Sequence, residues 1–408
     1  MSTFATRSAM FDLPAPALPW PVRWFNRQRA EQPWRLDADA LLERAGGPFD
    51  DRVIDGTRRL CGSLCEARCL HPFGQLYART LIGGALSVRA RVDRYLSAHP
   101  EIEDQPLNRP LIVYGLQRSG TTLLHRLLAE GDRARGLALW ELMQPVPPER
   151  GLDLRRLATT ALMAGFRTTA PPTFDAMHFM RPGLADECQF IFRLDLRSPV
   201  LWTALAALSY AEWLFDEDME ASCRLYRRVL QIFQSQDPHR RLVLKNPGHT
   251  LYAEALLRAL PEASFVQTHR DPLATLPSQC KLTLTAQSAM VEGVDPAAVV
   301  DTVMHMQARM TARSLDLEQS PLRARVMHVR YRELVAEPLA TLRRIHERFE
   351  LPWSPSQEAR MTAHLRRNGQ HSRGGNYYSI EQFGLDRDQL TALFADYCGH
   401  FLREATPS

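Results

Sequence analysis

Apolar positions repeat in two ways along this chain. From Asp37 to about Ser97 they recur at three- and four-residue spacing, as in "ADALLERAG" and "YARTLIGGALSVRARVDRYL", the pattern of helices with one buried face. From Leu111 onward, short runs that are largely apolar alternate with longer helical segments. "LIVYG" (111–115), "RLVLK" (241–245), "SFVQTHR" (264–270) and "ARVMHVRY" (324–331) have the length and residue types of buried strands. Helices are expected from Thr121, over "HTLYAEALLRAL", over "PLATLPSQCKLTLT" and over "EPLATLRRIHERFEL". Strands alternating with helices imply an α/β fold with a parallel sheet. Residues 1–105 read as an N-terminal arm and helical extension and 106–408 as the α/β domain. A mainly helical insert at about 150–240 is broken by the loop "TTAPPTFDAMHFMRPGLADE". The Pro- and aromatic-rich first 35 or so residues (Pro14, Pro16, Pro19, Trp20, Trp24) suit an extended arm. It is expected to pack on its own domain or on a second copy, which would allow a homodimer, in preference to a membrane.

Composition narrows the class. Apolar residues make up 45% and charged residues 24%, as in ordinary globular chains. A net charge of +4 is too small to argue for nucleic acid. No run of 18 apolar residues predicts a transmembrane helix, and the N-terminus lacks the apolar stretch of a signal peptide. Seven cysteines spread over 408 residues fit reduced thiols and a cytoplasmic setting. Cys61, Cys65 and Cys69, with His71 nearby, match no zinc or cluster spacing. They read as one buried helix face.

The chemistry begins at "GLQRSGTT", Gly115–Thr122. Glycines allow tight turning and close approach to a ligand. Backbone N–H groups at the following helix start favour an anion. Ser119, Thr121 and Thr122 add hydroxyls, and Arg118 adds a planar cationic fork. The sheet is thus P-loop-like, but Thr121 stands where a nucleoside-triphosphate loop has its lysine. In parallel sheets ligands sit at the carboxyl ends of strands. Those ends carry this loop, Lys245 to His249, Thr268 to Ser278, and Tyr331.

"LQRSGTTLL" resembles the 5′-phosphosulfate loop of PAPS-dependent sulfotransferases, in the Arg-Ser-Gly-Thr-Thr form of many bacterial members. "THRDPLATLPS" gives Arg270 and Ser278 at the family's eight-residue spacing for 3′-phosphate binding. "VRYRELVAEPLATLRRIHERFEL" and "SRGGNYYSIEQFGLDRDQLTALFADY" resemble two further family segments, the second offering Arg373. The resemblance covers about Leu107 to Tyr397. It implies PAPS as co-substrate with PAP as product, no metal, and binding by Arg118, Ser119, Gly120, Thr121, Thr122, Arg270, Ser278 and Arg373. Where cytosolic members carry a Trp after Thr-Thr to stack on adenine, this chain has Leu123, and Tyr331 is the substitute candidate. Lys245 matches the strand-end lysine that contacts the leaving oxygen, so Arg118 and Lys245 are assigned to the leaving group and transferred sulfuryl.

Sulfuryl transfer resembles phosphoryl transfer in that positioning and charge stabilisation dominate. The acceptor must also lose a proton, so a general base is expected. Three candidates stand: Glu141, favoured slightly, His249, and the loop set His178, Asp186 and Glu187. The apolar and aromatic side chains of the insert, among them Phe174, Met177, Met180 and Phe190, suit a small-molecule or lipid-like acceptor with an apolar body. Two other readings remain open here, a P-loop kinase or NTPase and a non-catalytic PAP-binding protein.

Overall fold

The computed structural model describes residues 18–31, 34, 36–293, 295–367 and 378–403. Five parallel strands, β1 (Leu111–Gly115), β2 (Ala134–Gly136), β3 (Arg241–Lys245), β4 (Ser264–His269) and β5 (Val326–Arg330), form one sheet. Their order is β2-β3-β1-β4-β5. The four apolar runs are therefore four neighbouring strands. The edge strand β2 is half-buried and reads "ARG", so no apolar run announces it.

Alternation along the strands sorts side chains onto two faces. Leu111, Val113, Val243, Val266 and Val329 pack with Leu124 and Leu127 of helix Thr121–Leu128 and with Leu342 and Ile345 of helix Pro338–Arg348. Ile112, Tyr114, Leu242, Leu244 and Phe265 point into a larger core, shared with Leu60, Ile82 and Leu86 of the extension and Phe192, Trp202 and Tyr226 of the insert. Side chains from either side of residue 105 thus share one hydrophobic core.

Helix Pro72–Ala98 ties the extension down. Its Arg89, 7% exposed, bonds Asp93 at 2.8 Å, Asp50 at 3.0 Å and the insert's buried Asp195 at 3.2 Å. His71 caps this helix, its Nδ1 accepting from the Gly74 N–H at 2.9 Å while Nε2 lies 3.1 Å from the Ala289 carbonyl. Cys61 is buried in the core, and all seven cysteines are unpaired. No helix among the described residues is long and apolar enough to cross a membrane.

Several elements differ in detail from the sequence reading. "HTLYAEALLRAL" divides into a 3-10 turn, Pro247–Tyr252, and a helix, Ala253–Ala259. Tyr331 opens helix Tyr331–Ala336 instead of ending a strand. The "APPTFDAM" loop contains a short helix, Thr173–Met177.

Candidate active site

The order β2-β3-β1-β4-β5 places β1 between β3 and β4, so the loops after these three strands meet at one edge. Gly115 leaves β1 at φ 142°, where an added Cβ would lie 2.2 Å from the Thr268 carbonyl oxygen. Only glycine fits there. Gly120 follows at φ 90°, a conformation that side-chain-bearing residues rarely adopt, and an added Cβ would press on the Tyr331 ring at 3.0 Å. Arg118 also holds a left-handed conformation, φ 65°, an uncommon state for a side-chain-bearing residue that clusters at functional sites.

Helix Thr121–Leu128 starts at Gly120 with no side-chain cap. The helices starting after Asp37, Asp50 and Asp271 instead have carboxylates accepting from their first-turn N–H groups at 2.9–3.1 Å. The loop helix alone among these leaves its N-terminal donors for an anion. Ser119 does not join the hydroxyls around that position. Its buried Oγ lies 2.6 Å from Thr268 Oγ1 and donates to the Leu116 carbonyl, which fixes the loop on β4.

Cationic groups converge around the loop. Arg118 Nε donates to Ser278 Oγ at 3.1 Å and its NH1 to the Met177 carbonyl at 3.2 Å. Arg270 NH1 donates to the Arg118 carbonyl at 2.8 Å, and its guanidinium lies 4.1 Å from the centre of the Tyr331 ring. Burial, and then the nearby Arg270 charge, lower the Arg118 pKa below its usual value. Lys245, 2% exposed, reaches in from β3. Its Nζ lies 3.3 Å from Thr122 Oγ1 and 2.7 Å from Glu187 Oε1.

Arg118, Thr121, Thr122, Arg270 and Ser278 line one end of a cleft of about 740 Å³, and Lys245 lies behind its wall, joined to it through Thr122 and Glu187. The other end is apolar, with Leu162, Met163 and Phe166 of helix Arg155–Thr169, Phe174, Phe190, and Tyr77 from the extension. Glu187 and His178 lie on the same cleft.

Residues 110–355 match the sulfotransferase family. The chain belongs to that family. It is 25% identical over 288 residues to the omega-hydroxy-beta-dihydromenaquinone-9 sulfotransferase Stf3 of Mycobacterium bovis and of Mycobacterium tuberculosis, covering 67% of this chain and 71% of each relative. Two solved structures share the fold. Sulfotransferase STF9 from Mycobacterium avium superposes with a TM-score of 0.79 at 29% identity, covering 93% of this chain and 99% of that one. Sulfotransferase STF1 from Mycobacterium tuberculosis H37Rv gives 0.73 at 28% identity, covering 88% and 99%. The protein is thus a sulfuryl-transferring enzyme.

Two of the three base candidates stand outside the sulfotransferase's cleft. Glu141 is a capping residue. Its Oε2 accepts from the Ala138 N–H at 2.8 Å and its Oε1 pairs with Arg135 at 3.1 Å, so both oxygens are engaged at the start of helix Leu139–Met143. His249 is a core histidine, fully buried among the rings of Phe192, Tyr226 and Tyr252. Its Nε2 lies 3.1 Å from Cys188 Sγ and its Nδ1 3.2 Å from the Tyr252 hydroxyl. Burial drives its pKa down to about 3. Neither residue is among those that line the cleft. Both residues follow strand ends closely, β2 for Glu141 and β3 for His249, but their polar atoms are engaged within the protein.

The third set divides. Asp186 is buried, and its Oδ1 accepts from the Glu187 N–H at 2.7 Å. Burial raises its pKa. Glu187 faces the cleft. Burial alone would raise its carboxyl too, but the Lys245 charge overrides that and holds the pKa below the ordinary value. Tyr331 lines the cleft, but the Arg270 guanidinium occupies one ring face, so that face offers no stacking surface for a base. Arg373 lies outside the described residues. Gln117 and Gln279, which the sequence gave no reason to single out, also line the cleft. Their buried Oε1 atoms accept no hydrogen bond among the described residues.

Proposed function

We propose that this sulfotransferase takes PAPS as donor and delivers the sulfuryl group to a hydroxyl of an acceptor with an apolar body. Glu187 takes the acceptor's proton. The observation that carries the reading is Lys245. It arrives from β3 to within 3.3 Å of the loop's Thr122 hydroxyl and supplies the charge that Thr121 leaves absent from the loop.

The residues present fit such a donor. The uncapped helix start and the Thr121 and Thr122 hydroxyls suit its 5′ group. Arg270 and Ser278 reach the same cleft and suit a second phosphate. The unpaired Gln117 and Gln279 oxygens can accept from hydroxyl or amine groups. Arg118 touches Ser278 at 3.1 Å, so it stands between the two anion positions and can serve either.

In the reaction the sulfur–oxygen bond to the 5′-phosphate breaks as the bond to the acceptor oxygen forms. Lys245 and the loop N–H groups stabilise charge that collects on the phosphate. When Lys245 turns from Glu187 toward that anion, its hold on the carboxylate weakens. The burial that opposes ionisation then raises the proton affinity of Glu187, which favours accepting the proton. The apolar end of the cleft holds the acceptor body. A lipid-like acceptor is consistent with the relatives named for a dihydromenaquinone substrate.

Calorimetry with PAP, ATP and ADP, each with and without Mg²⁺, tests the donor. PAP should bind without Mg²⁺, and Arg270→Ala should weaken it by about 2 kcal/mol or more, since a charge-assisted phosphate contact is lost. Mg²⁺-dependent ATP binding in preference to PAP would refute the proposal.

A further inference from the structure

The wall of the apolar end is one helix thick. Helix Arg155–Thr169 turns Thr159, Leu162, Met163 and Phe166 toward the cleft. Its opposite side is exposed at Arg156, Leu157, Ala161 and Ala164. The segment leading into it is unusual for a surface. Leu152 is 85% exposed, Leu154 57% and Leu157 63%. Three large exposed leucines within six positions mark a contact site more than a random surface. The charge beside them is mainly positive. Residues 149–169 hold four arginines, Arg150, Arg155, Arg156 and Arg167, against two acids, Glu149 and Asp153. Asp153 pairs with Arg155 at 2.8 Å, and Arg167 pairs with Asp175 at 3.0 Å. Arg150 and Arg156 are exposed beside the leucines.

We propose that this face, centred on Leu152, Leu154 and Leu157, docks on an anionic lipid bilayer. Leucines that enter the acyl boundary and arginines that meet anionic headgroups are the two contributions that hold interfacial helices. Docking there sets the bilayer against the helix whose inner side lines the apolar end of the cleft. An acceptor with an apolar body then passes from lipid to cleft around a single helix. The inference rests on the reading of an apolar acceptor, and it names the source from which the acceptor comes.

The test is co-sedimentation of the whole protein with vesicles, without donor or acceptor, so its result does not depend on sulfuryl transfer. Phosphatidylcholine vesicles containing phosphatidylglycerol should sediment the protein, and pure phosphatidylcholine should do so weakly. The triple substitution Leu152→Asp, Leu154→Asp and Leu157→Asp should lower partitioning by about tenfold or more, since apolar burial and charge attraction are both lost. PAP affinity, measured by calorimetry, should be unchanged, which shows that the variant is folded. No binding of the unaltered protein to anionic vesicles would overturn the proposal. So would equal binding by the triple variant. A concentration-dependent dimer in sedimentation velocity, abolished by the same substitutions, would assign the leucines to a second copy and overturn it as well.

Discussion

At the scale of single residues, environment separates three carboxylates or imidazoles that look alike in sequence. Glu141 and Glu187 are both half-buried acids near strand ends. One has both oxygens occupied by Ala138 and Arg135, while the other meets Lys245 on the cleft wall. Glu187→Gln should therefore lower kcat by about 10²–10⁴-fold, the usual contribution of a general base, with PAP affinity in calorimetry retained. Glu141→Gln should leave kcat within a few-fold and instead lower stability by about 1 kcal/mol, the typical worth of a helix cap, read by urea denaturation. The reverse result would return the base to Glu141. Sequence spacing could bring the candidates to this neighbourhood but could not rank them. Which way a side chain turns at a strand end depends on what packs behind it, and for His249 that is a cage of three rings.

At the scale of elements, the four apolar runs are legible because strands buried on both faces need apolar residues at nearly every position. β2 is not legible, since a three-residue edge strand has only one neighbour to pack against. The loop after β1 is legible in its glycines. The use of Ser119 as a pin to Thr268 is not, because a hydroxyl near a phosphate site reads the same whether it faces the ligand or the next strand. Helix Pro72–Ala98 gives a prediction of its own. Its Arg89 holds Asp50, Asp93 and Asp195 together, and Arg89→Ala would leave buried Asp195 with only the longer ion pair to Arg52 at 3.9 Å. Loss of one partner of a buried pair costs about 3–5 kcal/mol. Urea denaturation should record a loss of that order. A loss below about 1 kcal/mol would mean that the extension is held mainly by its apolar contacts.

At the scale of the whole molecule, burial of several imidazoles makes stability depend on pH. His71, His125, His249, His269, His328 and His346 all have pKa values lowered by burial, His125 and His249 to about 3. Each stays neutral in the fold while the unfolded chain protonates near pH 6.5. The unfolded state then binds more protons as the pH falls, so this stability is complete above about pH 6.5 and is lost progressively toward pH 3. Asp186, raised by burial, works in the opposite direction. The urea midpoint should begin to fall already between pH 6.5 and 5, above the range where depressed carboxylates such as Asp50 and Glu187 protonate. A midpoint that stays flat down to pH 5 would show that the buried histidines gain compensating partners when charged. The parallel α/β class, the glycine loop after β1 with its Arg118, and the strand-end positions of Lys245 and Arg270 were legible in the chain itself, because period, glycine placement and strand-end position are local properties. Packing alone set that Glu187, and not Glu141 or His249, lines the cleft, that the N-terminal extension walls it through Tyr77, and that helix Arg155–Thr169 lies between that cleft and an exposed leucine face. Those facts depend on which side chains meet across hundreds of residues, and burial, charge pairing and shared cavities exist only once the chain has packed.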